Sequence, residues 1–146
     1  MVTVRQLLEG KSRDLWTISP DASVFEALER LAEKDIGALL VTEGEKLVGI
    51  FSERDYARKV ALKGRTSKET TIGELMTRDV RYVQPEHTVE QCMVLMTDKR
   101  IRHLPVLQDQ KLVGIVSIGD VVKAVISDQA DTIQFLQQYL TGGRTK

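Results

Sequence analysis

The features that this 146-residue sequence lacks exclude several classes of protein. Its single cysteine, Cys92, cannot form a disulfide within the chain, so a disulfide-stabilised scaffold is excluded. Lysine plus arginine equals aspartate plus glutamate at 21 each, and this zero net charge argues against broad nucleic-acid binding. No apolar run approaches the length of a membrane span, and the N-terminus lacks the apolar stretch of a signal peptide. We therefore expect a cytoplasmic protein without membrane or nucleic-acid partners.

Motifs of catalysis and metal binding are missing as well. The sequence contains neither a Gly-x-Gly-x-x-Gly run nor a Walker loop. His87, Cys92 and His103 do not have the spacing of metal ligands, so no metal site is predicted. No nucleophile stands in a pattern with a base and an orienting group. We therefore predict a protein that is not an enzyme.

What the sequence does contain is an internal repeat. Residues 20–60 recur as residues 85–125 at a constant offset of 65, and the run KLVGI stands at both Lys46–Ile50 and Lys111–Ile115. A repeat of this kind fixes the architecture before local propensities are considered. Two copies predict two similar subdomains packed about a pseudo-twofold axis, with a ligand cleft between them.

Each copy is predicted to contain a strand, a helix, two strands and a second helix, which gives an α/β fold of two tandem β-α-β-β-α repeats. The opening strands are residues 16–18 and 81–83, each followed by a proline. The first helices begin at the capping residues Ser23 and Thr88. Their apolar stripes have the spacing of amphipathic helices: Val24, Ala27, Leu28 and Leu31, then Val89, Cys92, Met93 and Met96. The hairpins pair residues 38–41 with 47–51, and 103–106 with 112–116.

The chain is expected to divide between residues 64 and 65. Residues 1–64 hold the first copy with an N-terminal lead-in, and residues 65–146 hold a linker, the second copy and a C-terminal helical tail. The lead-in itself is predicted to be repeated, since Thr71–Met76 resembles Thr3–Leu8. Three apolar residues share one face of the C-terminal helix, which we expect to pack on the pair or on a partner: Ile133, Leu136 and Leu140.

The pattern Ser-x-x-Asp follows the second hairpin strand in both copies, at Ser52 and Asp55 and at Ser117 and Asp120. A carboxylate can accept two hydrogen bonds from a vicinal diol, so the aspartates suit a ribose. A serine hydroxyl and the N–H groups of a helix start suit a phosphate. The same spacing also caps a helix, and both interpretations stay open here.

Arg102 and His103 stand at the start of the first hairpin strand of the second copy. Arginine offers a planar charged fork to phosphate oxygens, and histidine can add a donor. The alternative is a solvated pair at the start of a strand. The matching residues of the first copy, Gly37 and Ala38, carry no charge, so we expect two unequal sites. Arg54 is open to either a phosphate or a local ion pair.

Taken together, these motifs resemble a tandem pair of CBS domains, or Bateman module, over residues 16–126. The resemblance rests on the proline before the first helix, on the run from Arg102 to Val106, and on Gly-hydrophobic-hydrophobic-Ser-x-x-Asp in both copies. It implies a regulatory module, similar to stand-alone CBS pairs, that binds AMP, ADP, ATP or NAD and signals to an unidentified protein. S-adenosylmethionine is the alternative ligand.

The resemblance also implies which residues line each cleft, because the aspartate of one repeat is expected to face the opening strand of the other. The first cleft would contain Asp120, Ser117, Ile101, Arg102, His103, Thr17, Ile18 and Ser19. The second cleft would contain Asp55, Ser52, Arg54, Ile36, Gly37, Ala38, Tyr82, Val83 and Gln84.

Two further expectations concern assembly and function. The resemblance implies a homodimer formed through helical faces. The main rival function is a ligand-free adaptor that acts through protein contacts alone, and the unequal sites give it some weight. An enzyme acting on a nucleotide is the weakest alternative, since no activated nucleophile is present.

Overall fold

A computed structural model describes residues 2–11 and 15–140, with side chains in the last helix described up to Gln129 and again at Gln134 and Gln137. The helices are α1 (Val4–Glu9), α2 (Val24–Lys34), α3 (Glu53–Asp55), α4 (Ile72–Leu75), α5 (Val89–Lys99) and α6 (Ile118–Leu140). The strands are β1 (Thr17–Ile18), β2 (Ala38–Glu43), β3 (Lys46–Ser52), β4 (His103–Gln108) and β5 (Lys111–Ser117). The predicted packing of Ile133, Leu136 and Leu140 lies outside the described side chains.

The first copy folds as a three-stranded sheet in the order β1-β2-β3. Strand β1 runs parallel to β2, and β2 runs antiparallel to β3 with a shift in register between Val41 and Thr42. The hairpin turn uses Gly44 at φ +61°, a conformation that glycine adopts without strain. The predicted hairpin is therefore confirmed, with each strand somewhat longer than expected.

The first helices form as the sequence predicts. Ser23 accepts a hydrogen bond from the Glu26 N–H at 3.1 Å, and Thr88 forms a full capping box with Gln91. The predicted stripe of α2 is buried at Val24, Ala27 and Leu31 and partly buried at Leu28. Residues Val89, Cys92 and Met96 of α5 are buried, whereas Met93 is exposed and does not belong to the core.

The second copy lacks the predicted opening strand at residues 81–83. Its sheet contains only β4 and β5, and a single parallel bridge joins Val83 to Val106. In the first copy, Thr17 pairs with Leu40 as well as Ile18 with Val41. The residue that matches Leu40 is Pro105, which has no N–H to donate, so the second bridge cannot form. The Pro105 carbonyl still accepts the Val83 N–H at 3.0 Å.

The two second helices also differ. In the first copy, α3 has three residues and continues as a π-helical segment, Tyr56–Ala61. In the second copy, α6 is a continuous α-helix of 23 residues. The sequence predicted a helix in both places, but not the change to π-helical hydrogen bonding.

The chain forms two compact units, each with its own apolar core. The copy-one unit comprises Asp14–Tyr82 and Leu107–Val113, and the copy-two unit comprises Met1–Arg13, Val83–Val106 and Gly114–Lys146. The two units follow spatial proximity and combine separate stretches of the chain. The boundary between residues 64 and 65 concerns the sequence repeat and stays a prediction.

Both lead-ins form short helices with capping boxes, and each joins the unit of the other copy. Helix α1 places Val4 and Leu7 in the core of the copy-two unit. Helix α4 places Ile72 and Leu75 in the core of the copy-one unit. The N-terminal residues thus complete the second copy, although they precede the first in sequence.

None of the helices within the described part of the chain combines the length and the apolar character that a bilayer span requires.

Candidate functional site

The Ser-x-x-Asp motifs mark one candidate site in each unit. We call the group of Ser52, Asp55 and residues 36–38 the Asp55 site, and the group of Ser117, Asp120 and residues 101–103 the Asp120 site. In both sites, the first residue of the second helix donates its N–H to a carbonyl of the loop before the first hairpin strand. Glu53 N donates to the Gly37 carbonyl at 3.1 Å, and Ile118 N donates to the Arg102 carbonyl at 2.8 Å. Within each unit, the structure thus brings together residues that the sequence analysis assigned to the same cleft.

Both aspartates cap the helix in which they lie. The Asp55 Oδ2 atom accepts the Ser52 N–H at 2.9 Å, and Ser52 Oγ accepts the Asp55 N–H at 3.2 Å. The corresponding distances for Asp120 and Ser117 are 2.9 and 3.2 Å. These reciprocal bonds satisfy N–H groups at a helix start that have no partner within the helix. The capping interpretation is confirmed, and it leaves spare lone pairs on each carboxylate.

The second oxygen of Asp55 is engaged by two further side chains. Its Oδ1 atom accepts the Thr77 hydroxyl at 3.2 Å and lies 3.0 Å from the Lys59 ammonium. Lys59 also donates to the Leu75 carbonyl at 3.0 Å. Asp55 is 8% exposed, and both carboxylate oxygens have partners from its own unit. A ligand at this carboxylate would have to displace existing partners of a buried side chain.

Asp120 has a different neighbour. The Lys11 ammonium donates to Asp120 Oδ2 at 2.6 Å and to the Ile115 carbonyl at 2.9 Å. The side chains of Lys11 and Asp120 are 28% and 21% exposed, so this ion pair is open to solvent on one side. Burial opposes the charge of Asp120, but the hydrogen bonds from Lys11 and Ser117 outweigh it and hold the pKa of Asp120 below its ordinary value.

His103 belongs to the same electrostatic group. Burial lowers the pKa of His103, Asp120 opposes this effect, and the positive charges of Lys11 and Arg102 add to it. The net direction is downward from 6.5, so the ring is neutral at pH 7. The Asp120 site therefore contains one carboxylate, two cations and a neutral imidazole within interaction range.

The residues of the opening strands have local partners. The Thr17 carbonyl accepts Arg30 at 2.6 Å, Ser19 Oγ accepts the Asp21 N–H at 3.1 Å, and Gln84 N donates to His87 Nδ1 at 2.8 Å. Ile18 and Val83 are buried, whereas Tyr82 is exposed. The predicted clefts combine residues of both units, and these combinations stay predictions. Arg54 is exposed and already has an interaction partner.

Three residues of these sites were missed by the sequence analysis: Lys11, Lys59 and Thr77. The spacing of Asp55 and Lys59 is that of an ion pair on one helical face, so Lys59 could have been found. Lys11 lies 109 residues from Asp120, and no local pattern connects them. Across residues 2–11 and 15–140, no cluster of three or more His, Cys, Asp or Glu side chains is arranged to hold a metal ion.

Fold and sites together define a tandem-repeat α/β protein, and comparison with known proteins gives its family. The model of the CBS-domain family matches residues 2–62 and 72–127. A protein with CBS domains from Burkholderia ambifaria MC40-6 is 51% identical, with a TM-score of 0.85 over 88% of this chain and 96% of that chain. The mitochondrial CBS domain-containing protein CBSX3 of Arabidopsis thaliana is 43% identical over 143 residues, which are 92% of this chain and 69% of the plant protein.

A third relative was solved with ligands. The CBS domain pair of protein MJ0100, in complex with 5′-methylthioadenosine and S-adenosyl-L-methionine, is 28% identical with a TM-score of 0.74, and the match covers 85% of this chain and 99% of that chain. The chain belongs to the CBS-domain family, and its two copies are a CBS-domain pair, a regulatory module. The resemblance and the α/β fold class predicted from the sequence are confirmed. The cytoplasmic location stays a prediction, because the plant relative is a mitochondrial protein.

Proposed function

We propose that this CBS pair is a sensor that binds an adenosine-containing ligand at the Asp120 site and signals to a partner protein. The observation that carries the proposal is the difference between the two aspartates. Both oxygens of the buried Asp55 side chain are engaged within the copy-one unit, whereas Asp120 is more exposed and lies in a group with Lys11, Arg102 and His103. The relative that holds 5′-methylthioadenosine and S-adenosyl-L-methionine supports an adenosine ligand.

The chemistry of the Asp120 site suits a nucleotide. The Asp120 carboxylate can accept the hydroxyls of a ribose, and the Ser117 hydroxyl can donate to a phosphate. Lys11 and Arg102 add positive charge, which favours an anionic ligand over a cationic one. We therefore expect AMP, ADP, ATP or NAD to bind more tightly than S-adenosylmethionine, whose sulfonium group is positive. Ile101 and His103 would contact the ligand beside Arg102.

The same proposal includes a regulatory rather than catalytic role and a homodimer. Helices α5 and α6 pack against each other and expose Met93, Val94, Val122 and Ile126. Apolar side chains on one pair of helices support a symmetric interface between two copies. If sedimentation velocity gave the mass of a single chain, the proposed dimer would be contradicted.

A ligand-free adaptor remains the second candidate, and one observation favours it. Lys11 and Lys59 satisfy the two aspartates within the chain itself, so neither carboxylate requires a ligand to complete its contacts. In that case the pair would act through protein contacts alone.

Thermal unfolding with and without ligand tests the proposal. AMP, ADP, ATP, NAD and S-adenosylmethionine are each added at about 100 times a typical dissociation constant, where a bound ligand adds about 2.7 kcal/mol and raises the midpoint by several degrees. Asp120→Ala should abolish this shift, whereas Asp55→Ala, the matched variant, should lower the midpoint of the free protein and keep the shift. No shift with any ligand would favour the adaptor, and loss of the shift only in Asp55→Ala would move the site to the other unit.

A further inference from the structure

Lys11 lies two residues after helix α1 and contacts both elements that form the Asp120 site. Its ammonium donates to the Ile115 carbonyl on β5 at 2.9 Å and to Asp120 Oδ2 on α6 at 2.6 Å. In the copy-one unit, the equivalent carbonyl of Ile50 accepts a backbone N–H, that of Thr77, at 2.9 Å. The copy-two unit thus uses a long side chain where the copy-one unit uses the main chain.

An ammonium and a ribose diol can both donate hydrogen bonds to the same carboxylate. Asp120 Oδ2 accepts both the Ser117 N–H at 2.9 Å and the Lys11 ammonium at 2.6 Å, so a diol that bonds to both carboxylate oxygens requires the acceptor position that Lys11 holds. We infer that Lys11 is an internal competitor of the ligand, which occupies Asp120 in the free protein and leaves it when the diol of an adenosine binds. This inference rests on the proposed function, because it takes Asp120 as the ribose-binding group.

The contrast with Lys59 explains why Lys11 can be displaced. Lys59 stands in the same helical run as Asp55, four residues on, and that carboxylate is buried and also held by Thr77. Lys59 is held by the helical run although its side chain is 43% exposed, whereas Lys11 lies outside any helix and its partner Asp120 is more exposed than Asp55. A partly exposed ion pair contributes little free energy, so competition from Lys11 should weaken ligand binding only about two- to fivefold.

Displacement of Lys11 would also connect the ligand to the segment that follows α1. The Lys11 N–H donates to the Leu8 carbonyl at 3.2 Å, and its side chain is tied to β5 and α6 as described. Helix α1 itself is held separately, by buried Val4 and Leu7 and by the ion pair of Arg5 with Glu86 at 2.9 Å. Ligand binding should therefore release Gly10 and Lys11 and leave the helix in place.

Titration calorimetry with adenosine tests the inference, because adenosine has the diol but no phosphate that could attract a lysine. Lys11→Met should bind adenosine about two- to fivefold more tightly than the wild-type chain. Arg5→Met is the matched control, since it removes an ion pair of the same helix without touching Asp120, and its affinity should be unchanged.

Hydrogen exchange on the wild-type chain gives a second readout that does not depend on the folding of a variant. Saturating adenosine should speed exchange at the amide of Lys11 while the rest of the copy-two unit is protected. Equal or weaker binding by Lys11→Met, the same gain in Arg5→Met, or protection at Lys11 would each overturn the inference while leaving adenosine binding intact. Absence of adenosine binding in the wild-type chain and both variants would overturn the inference, and only the further absence of a thermal shift with every adenosine-containing ligand would refute the proposed function.

Discussion

Asp55 and Asp120 occupy the same position in their copies, and each forms reciprocal hydrogen bonds with the serine three residues before it. Their surroundings differ because the neighbours that complete each carboxylate come from different parts of the chain. Lys59 and Thr77 contact Asp55, whose side chain is 11% exposed, whereas Lys11 reaches Asp120 from the N-terminal segment and leaves its side chain 21% exposed. Identical local motifs thus give one carboxylate that is more buried than the other.

Cys92 shows a simpler case, in which burial is the main cause of the chemistry. It is fully buried in α5, as its place on the apolar stripe predicts, and burial together with the charge of Glu90 raises the pKa of its thiol to about 11. At neutral pH the group is a thiol, which packs as a small apolar side chain.

At the same scale, His103 should make stability depend on pH. Burial holds its pKa in the folded chain below the ordinary value of 6.5, so the unfolded chain binds more protons below that pH. Its contribution to the free energy of unfolding is therefore complete above about pH 6.5 and is lost as the pH falls from there toward the folded pKa.

Urea unfolding at about pH 7.5 and about pH 5.5 measures this contribution. The comparison uses His87→Gln as the background, because His103 is then the only histidine in the chain. Adding His103→Gln should reduce the loss of stability at the lower pH. An unchanged loss in the double variant would show that carboxylates, and not His103, cause it.

At the scale of elements, the lead-in helices pack against the hairpins through two equivalent glycines. A Cβ atom at Gly49 would lie 2.6 Å from Met76 Sδ and 3.0 Å from the Thr77 carbonyl oxygen. A Cβ atom at Gly114 would lie 2.8 Å from Leu8 Cδ2, the end of a side chain that can rotate away. The close approach of neighbouring atoms therefore excludes a larger residue more strictly at Gly49 than at Gly114.

Alanine substitution should reveal this difference. Gly49→Ala forces a shift of the main chain and should lower the free energy of unfolding by about 1–3 kcal/mol. Gly114→Ala, its counterpart in the other copy, should cost clearly less because Leu8 can repack. Chemical denaturation of the two variants makes the comparison, and an equal or larger loss for Gly114→Ala would show that the contact with α1 is the more rigid one.

At the scale of the whole molecule, each lead-in helix completes the unit of the other copy. Leu7 of α1 belongs to the core that contains Val89 and Leu104, and Leu75 of α4 belongs to the core that contains Val24 and Leu39. The N-terminal helix is therefore part of the unit that carries the proposed ligand site.

Truncation of the matched leucines should show which unit each helix supports. Leu7→Ala and Leu75→Ala should each cost about 2–5 kcal/mol, the range for a buried leucine. Hydrogen exchange should then accelerate most in residues 83–106 for Leu7→Ala and most in residues 15–61 for Leu75→Ala. If Leu7→Ala accelerated residues 15–61 most, α1 would support the first copy instead.

The repeat, the family resemblance and most of the helices and strands could be read from the amino-acid sequence. A constant offset, capping residues and apolar periodicity act over a few neighbouring residues, so the helices α2 and α5 and both hairpins could be predicted. The opening strand at residues 81–83 could not form, because the N–H that it needs is absent at Pro105, a residue far along the chain.

The unit that each lead-in helix joins and the partners of each aspartate depend on contacts that form when the chain folds. Lys11 and Asp120 are 109 residues apart, and Asp55 and Thr77 are 22 apart, so neither contact follows from local spacing. The exchange of the lead-in helices places Lys11 beside Asp120 and Thr77 beside Asp55. The sequence predicted two unequal sites from Gly37 and Arg102, but the inequality observed at the carboxylates arises from residues that only folding brings together.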